Sequence, residues 1–208
     1  MTTVRYLRRY RDATRMNHWY VVLMFIAAAL SGLAFFHPSL FFFTAFFGGG
    51  QWTRILHPFF GLGMVAGFAF LFFTMWRENV LDRADREWLV KAPEMLKGNK
   101  EGMPAVGKYN AGQKLVFWVF GISLLLLFVT GFMFWSPWFV GFFPILVRRI
   151  AVVVHAASAA GLILSVITHI YAAIWIKGTV RAMTRGTVTE RWAKLNHPLW
   201  HRKMTRGE

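Results

Sequence analysis

Four stretches of this chain contain no Asp, Glu, Lys or Arg: Met16–Thr53, Ile55–Trp76, Leu115–Val147 and Ile150–Ile176. Crossing about 30 Å of hydrocarbon takes about 20 residues of helix, so each gap holds one span. Lipid offers no partner to a free N–H or C=O, and long continuous apolar runs meet that demand as helices rather than as alternating barrel strands. The expected fold is all-α: a four-transmembrane-helix bundle with spans at about 17–36, 53–76, 115–135 and 148–177. A polar loop over 77–114 and a basic tail over 178–208 complete what reads as one integral membrane domain, residues 1–208. Hydrophobic residues make up 56% of the chain, above the about 45–50% of soluble domains, which places it with membrane proteins.

The net charge of +15 is distributed in a way that argues against nucleic acid. Lys and Arg number five before the first span, one between spans one and two, and eight between two and three. Two lie between three and four, and eight follow the fourth. Rich and poor segments alternate, which is the positive-inside pattern, so both termini and the 77–114 loop are expected to face the cytoplasm. The first apolar run is too long for a signal-peptide core and is followed by no small-x-small cleavage site, so it reads as a retained helix. The chain has no cysteine, which removes disulfides, thiolate-held iron–sulfur clusters and covalent haem attachment. No internal repeat is evident. The segment RADREWLVKAPEMLKG within the loop suits a short interfacial helix.

Seven histidines are present. His197 and His201 lie in the basic tail and His37 opens the outer loop, where solvated or interfacial roles are expected. The other four, His18, His57, His155 and His169, sit at or within span boundaries, where an ionisable group is a functional hypothesis by default. The expected topology gives two levels, with His57 and His155 in the outer half and His18 and His169 in the inner half. His155 and His169 are 14 residues apart, roughly four helical turns less 40°, so they share a face about 21 Å apart in height. They cannot share one metal ion, whose bonds to nitrogen are ~2 Å long. Two imidazoles per level are too few for a structural zinc site, whereas haem brings four equatorial nitrogens and needs two axial ligands. The pattern therefore suits two haem b groups, the outer on His57 and His155 and the inner on His18 and His169.

Gly32, Gly61, Gly63, Gly67, Gly121, Gly131 and Gly161 would let a flat macrocycle approach the helices, or equally let helices approach each other. Pro58 lacks a donor, so span two is expected to begin just before it, with His57 in the first turn. Trp118, Trp135 and Trp175 read as lipid-facing or belt residues. The turn GKYNAGQK (Gly107–Lys114) supplies amide groups at the head of span three; Asn110 and Gln113 equally read as that helix's cap.

The pieces MNHW (Met16–Trp19), RILHPFFG (Arg54–Gly61), GKYNAGQK, HAA (His155–Ala157), THIYAAIWIKG (Thr168–Gly178) and WAKLNHPLW (Trp192–Trp200) occur in a characteristic order. Over nearly the whole chain they resemble the membrane cytochrome b556 (gamma) subunit of respiratory formate dehydrogenase. The departures are in FFFTAFFGGGQW (Phe41–Trp52) and at the extreme ends. The resemblance implies axial ligation by His18, His57, His155 and His169, with menaquinone or ubiquinone reduced beside the inner haem at Asn110, Gly112, Gln113 and His169. It implies an iron–sulfur (beta) partner and a molybdenum- or tungsten-containing catalytic (alpha) partner that oxidises formate, in the bacterial inner membrane and among its lipids. It also implies assembly of the complex into a higher-order oligomer. Cytochromes b of nickel–iron hydrogenase and thiosulfate reductase share the chemistry but differ at the turn. A histidine-relay transporter would need acids inside the spans, and the charge-free gaps contain none.

Overall fold

The computed structural model describes residues 4–97 and 102–206. In chain order the elements are β1 (Tyr6–Arg8), α1 (Asp12–Phe36), α2 (Gly50–Met75), α3 (Arg83–Leu96), α4 (Ala111–Phe134) and α5 (Ile145–Trp175). The short elements α6 (Val180–Arg185), β2 (Thr187–Thr189), α7 (Glu190–Asn196) and α8 (Pro198–Arg206) follow. The helices α1, α2, α4 and α5 are long and apolar enough to cross a membrane, and the chain is a multi-pass membrane protein. Between α1 and α2 the residues Pro38–Phe47 wind into a 3₁₀ helix. It stops at Gly48 and Gly49, whose φ of 83° and 98° a side chain would strain.

Helix α2 corrects one expectation. It begins at Gly50 rather than beside His57, so Pro58 lies inside it and His57 is two turns in. The proline leaves the carbonyl four residues back without its helical donor, a loss that neighbouring helices make tolerable in membrane segments.

The chain divides into two compact units. One comprises Met16–Phe72 and Val119–Thr168. Its core draws on all four long helices: Ala28 from α1, Met64 and Phe68 from α2, Leu124 from α4 and Leu162 from α5. Lipid tails are as apolar as these side chains, so close packing and polar contacts have to hold the helices together. Two glycines of α2 supply the packing. A Cβ at Gly67 would stand 2.7 Å from Val21 Cγ2, and one at Gly63 would stand 2.8 Å from the Tyr20 hydroxyl. The Asn17 side-chain amide donates to the Gly67 carbonyl at 2.8 Å, closing the same α1–α2 contact with a hydrogen bond.

The other unit comprises the N-terminal residues to Arg15, Phe73–Trp118 and the residues from His169 on. Here β1 pairs antiparallel with β2, Leu7 opposite Val188. Three-residue strands leave no alternating pattern, so these were not expected. Leu7, Ala182, Val188, Trp192, Ala193 and Trp200 form its core. The tail is therefore packed rather than solvated. Arg9, only 6% exposed, is wrapped by aromatics: its guanidinium lies 5.0 Å from the Trp200 ring, 5.1 Å from Trp192 and 5.7 Å from Tyr109. It also donates to the Lys108 carbonyl. His197 is likewise buried, against the expectation of a solvated residue. Its Nδ1 lies 2.8 Å from the Gly107 carbonyl and its Nε2 3.5 Å from Arg9. The N-terminal arm and tail thus grip the 107–108 backbone.

Two helix starts in this unit are capped in the same way. Asp82 and Asp85 exchange backbone and carboxylate bonds of 2.8 and 3.0 Å at the head of α3. Asn110 and Gln113 exchange bonds of 3.0 and 2.9 Å at the head of α4. Each is a reciprocal capping box. The buried Lys114 ammonium joins them, 2.6 Å from Asp85 Oδ2 and 3.5 Å from Asp82 Oδ2. Asp82 titrates below the ordinary carboxylate range, chiefly because the Asp85 N–H donates to it and secondarily because of Lys114.

Breaking a buried pair leaves an uncompensated charge, so Asp85→Asn is expected to cost about 3–5 kcal/mol in denaturant unfolding of the purified protein. A loss below about 1 kcal/mol would show that Lys114 reaches water instead. A second expectation concerns pH. Burial, and then the Arg9 charge, hold the His197 pKa down to about 4 from 6.5. Between those values the unfolded chain binds the proton first. This residue's contribution is therefore complete above pH 6.5 and is lost as pH falls toward 4, by up to about 3 kcal/mol. Protection factors of the β1 and β2 amides should fall over that window, and His197→Gln should flatten the dependence.

Candidate functional site

Two of the four membrane histidines come together within the bundle unit. His57 of α2 and His155 of α5 have ring centres 6.3 Å apart and planes 67° apart. A bond of ~2 Å from metal to each nitrogen, with roughly 1 Å from nitrogen to ring centre, puts two axial imidazoles about 6 Å apart. The spacing fits one metal between them. Among the described residues no three of His, Cys, Asp or Glu gather as metal ligands. A pair of imidazoles alone suits a group that brings its own equatorial donors, and haem is that group.

Each ring is held by a hydroxyl from the helix before it. Ser31 Oγ of α1 lies 2.8 Å from His57 Nδ1, and Thr130 Oγ1 of α4 lies 3.0 Å from His155 Nδ1. A hydroxyl has one hydrogen to give. Ser31 donates its own to the Ala27 carbonyl at 2.6 Å, and Thr130 donates its own to the Leu126 carbonyl at 2.5 Å. Both must therefore accept from the imidazole. This assigns the proton to Nδ1 on both rings and leaves Nε2 as the ligating nitrogen.

The residue after each hydroxyl is glycine, and in both cases the missing side chain makes room for the ring. A Cβ at Gly32 would lie 3.2 Å from His57 Cε1, and one at Gly131 would lie 3.4 Å from His155 Cε1. The glycines noted in the sequence thus divide by use. Gly32 and Gly131 seat imidazoles, Gly63 and Gly67 seat α1 against α2, and Gly121 makes ordinary contact with Phe72. At Gly61 and Gly161 a Cβ would meet nothing within 4 Å. Ser31 and Thr130 were missed in the sequence. Their signal was a small hydroxyl followed by glycine inside a span, placed 26 and 25 residues before a histidine.

His18, half-buried, is on the second turn of α1 and makes an edge contact with Trp19 at 5.5 Å. His169 is on α5, fourteen residues beyond His155. These two belong to different compact units.

The turn at Gly107–Lys114 behaves as the cap its sequence also suggested. The side-chain oxygens of Asn110 and Gln113 are both spent on the helix start. Their amide NH₂ groups remain as donors. Gly112 lies against Trp88 of α3, at 3.5 Å from where its Cβ would be. Burial and the neighbouring Tyr10 push the Tyr109 hydroxyl well above its ordinary pKa, so it stays protonated at any working pH.

The family model for prokaryotic cytochrome b561 matches residues 9–186. The nitrate-inducible formate dehydrogenase cytochrome b556(Fdn) subunit of Escherichia coli K12 is 41% identical over 208 residues, 100% of this chain and 96% of that protein. The formate dehydrogenase cytochrome b556(fdo) subunit of the same strain is 43% identical over 196 residues, 94% of this chain and 92% of that one. The formate dehydrogenase cytochrome b556 subunit of Haemophilus influenzae is 40% identical over 195 residues, 94% and 82% of the two. With a donor pair spaced for axial ligation and four membrane helices to carry it, the chain belongs to the prokaryotic cytochrome b561 family.

Proposed function

We propose that the chain is the dihaem cytochrome b subunit of a formate dehydrogenase in the bacterial inner membrane. In this reading it carries electrons from a periplasmic iron–sulfur partner to quinone reduced near the cytoplasmic side. A molybdenum- or tungsten-containing partner oxidises formate on another chain. The observation that carries the reading is the His57–His155 pair, 6.3 Å apart with both Nδ1 atoms tied to hydroxyls. The names of the relatives support the choice of donor complex.

Haem, when bound, supplies a one-electron couple whose potential depends on axial ligation and on the surrounding dielectric. The chain's own part is to bind, space and insulate. His57 and His155 would hold the outer group, and His18 and His169 the inner one. The length of α5 between its two histidines sets a vertical separation of about 21 Å. The apolar spans keep water and ions from the path. Moving electrons inward while protons are taken up on the cytoplasmic side separates charge across the membrane and contributes to proton-motive force.

The quinone is placed beside His169 and the Gly107–Lys114 turn. The amide NH₂ groups of Asn110 and Gln113 would donate to its carbonyl oxygens, and Gly112 would let its ring lie close to the backbone. Asp82, Asp85 and Lys114 stand at the same helix starts and supply titratable groups for proton uptake.

The complex purified with its partners should show two b haems per copy of this chain in a visible spectrum and pyridine haemochrome assay. His57→Ala and His155→Ala should each remove the same one. A colourless complex, or variants that keep both haems six-coordinate, would sink the assignment. The cap and quinone roles of the turn can be separated. Asn110→Asp and Gln113→Glu keep the cap acceptors but remove the NH₂ donors. Together they should leave haem content intact and lower kcat/KM for quinone roughly tenfold or more. Unchanged quinone kinetics would rule these amides out.

A further inference from the structure

Ser31 and Thr130 are more than packing. They come from different helices, act on different histidines, and make the same three contacts. Each accepts from Nδ1, donates to the carbonyl four residues back, and is followed by a glycine that seats the ring. Ser31 is fully buried and Thr130 is 6% exposed, so neither hydroxyl exchanges its partner for water. With its hydrogen committed to a carbonyl, each oxygen is polarised into a stronger acceptor.

We propose that Ser31 and Thr130 are positioning residues for the outer haem, setting the rotation of both axial rings and lowering the potential of the iron they hold. The proposal rests on the haem reading above. An acceptor on Nδ1–H gives the imidazole more imidazolate character and makes its other nitrogen a stronger donor. The ferric state carries the greater charge and gains more from that donation, so the couple moves down. The same bonds fix the ring planes, 67° apart. Axial imidazoles held far from parallel give ferric low-spin iron a strongly anisotropic EPR signal, whereas rings free to rotate do not hold it.

The doubly tied pair also suits the place of this haem in the sequence of electron transfer. It is the first acceptor of electrons entering the chain, and a lowered potential favours passing them onward to the second haem.

The test uses the whole complex, with EPR and redox-poised visible spectra of wild type, Ser31→Ala, Thr130→Val and Thr130→Ser. Valine keeps the shape of threonine and removes the hydroxyl; serine keeps the hydroxyl. Wild type should show one strongly anisotropic low-spin signal assignable, by its loss in His57→Ala, to the outer haem. Ser31→Ala and Thr130→Val should retain both haems and raise the outer midpoint by about a tenfold change in ferric-to-ferrous ratio, ~59 mV for one electron. The inner haem should not move, and Thr130→Ser should restore the wild-type value. If Thr130→Val loses the outer haem and Thr130→Ser keeps it, the positioning role is likewise supported. An unshifted outer potential and signal in both Ser31→Ala and Thr130→Val overturns the proposal while leaving the haem reading standing. Loss of the haem in Thr130→Val and Thr130→Ser alike also overturns it. A wild-type complex lacking the outer haem overturns both.

Discussion

Hydrocarbon gives a helix no reason to prefer another helix over lipid, and the features of the four-helix unit follow from how it meets that constraint. Burying apolar area cannot decide which faces meet. The helices are instead located by a few small residues and hydroxyls. Gly63 and Gly67 let α1 lie close on α2, and Asn17 binds the Gly67 carbonyl. Ser31 joins α1 to α2 through His57, and Thr130 joins α4 to α5 through His155. The same hydrogen bonds that locate helices therefore also orient the candidate ligands. Folding and site assembly rest on one set of contacts.

The polar unit meets a different solvent and solves a different problem. With water available, a small core of Trp192, Trp200, Leu7 and Val188 is stabilised by burial in the usual way. Three of its charged side chains, Arg9, Asp85 and Lys114, are placed inside it. Arg9 lies among aromatic rings and Lys114 against Asp85, so each cation keeps a partner as it loses water. Both grips converge on one short piece of backbone. Arg9 and His197 hold residues 107–108, while Lys114 and the capping pair hold the helix that follows. A turn fixed from both ends is well suited to present amide donors at defined positions.

Asn110 and Gln113 show how a helix cap can leave donors to spare. An amide side chain carries an acceptor and a donor pair, and the helix start uses only the acceptor. Aspartate or glutamate would cap as well but would have nothing left to donate. Amides at both places leave donors that capping does not use, which is what the proposed quinone role requires.

The sequence by itself determined the four spans, because charge-free length is a property of composition and the bilayer thickness is fixed. It determined the separation of His155 and His169, because helical rise per residue is constant. It pointed to haem because two imidazoles per level leave four equatorial places to fill. Other features needed the tertiary structure. That α2 begins at Gly50 and carries Pro58 in its interior depends on the 3₁₀ segment before it, whose closing glycines mark a break without fixing where the next helix starts. That His197 is buried depends on Arg9, 188 residues away, and the β1–β2 pair joins strands too short to show a period. Above all, a serine and a threonine in apolar spans look alike whether they bond their own helix or a neighbour's ring. Only the packing of α1 on α2 and of α4 on α5 puts Ser31 and Thr130 within hydrogen-bond reach of His57 and His155, because long-range proximity is a product of the fold and not of any stretch of chain.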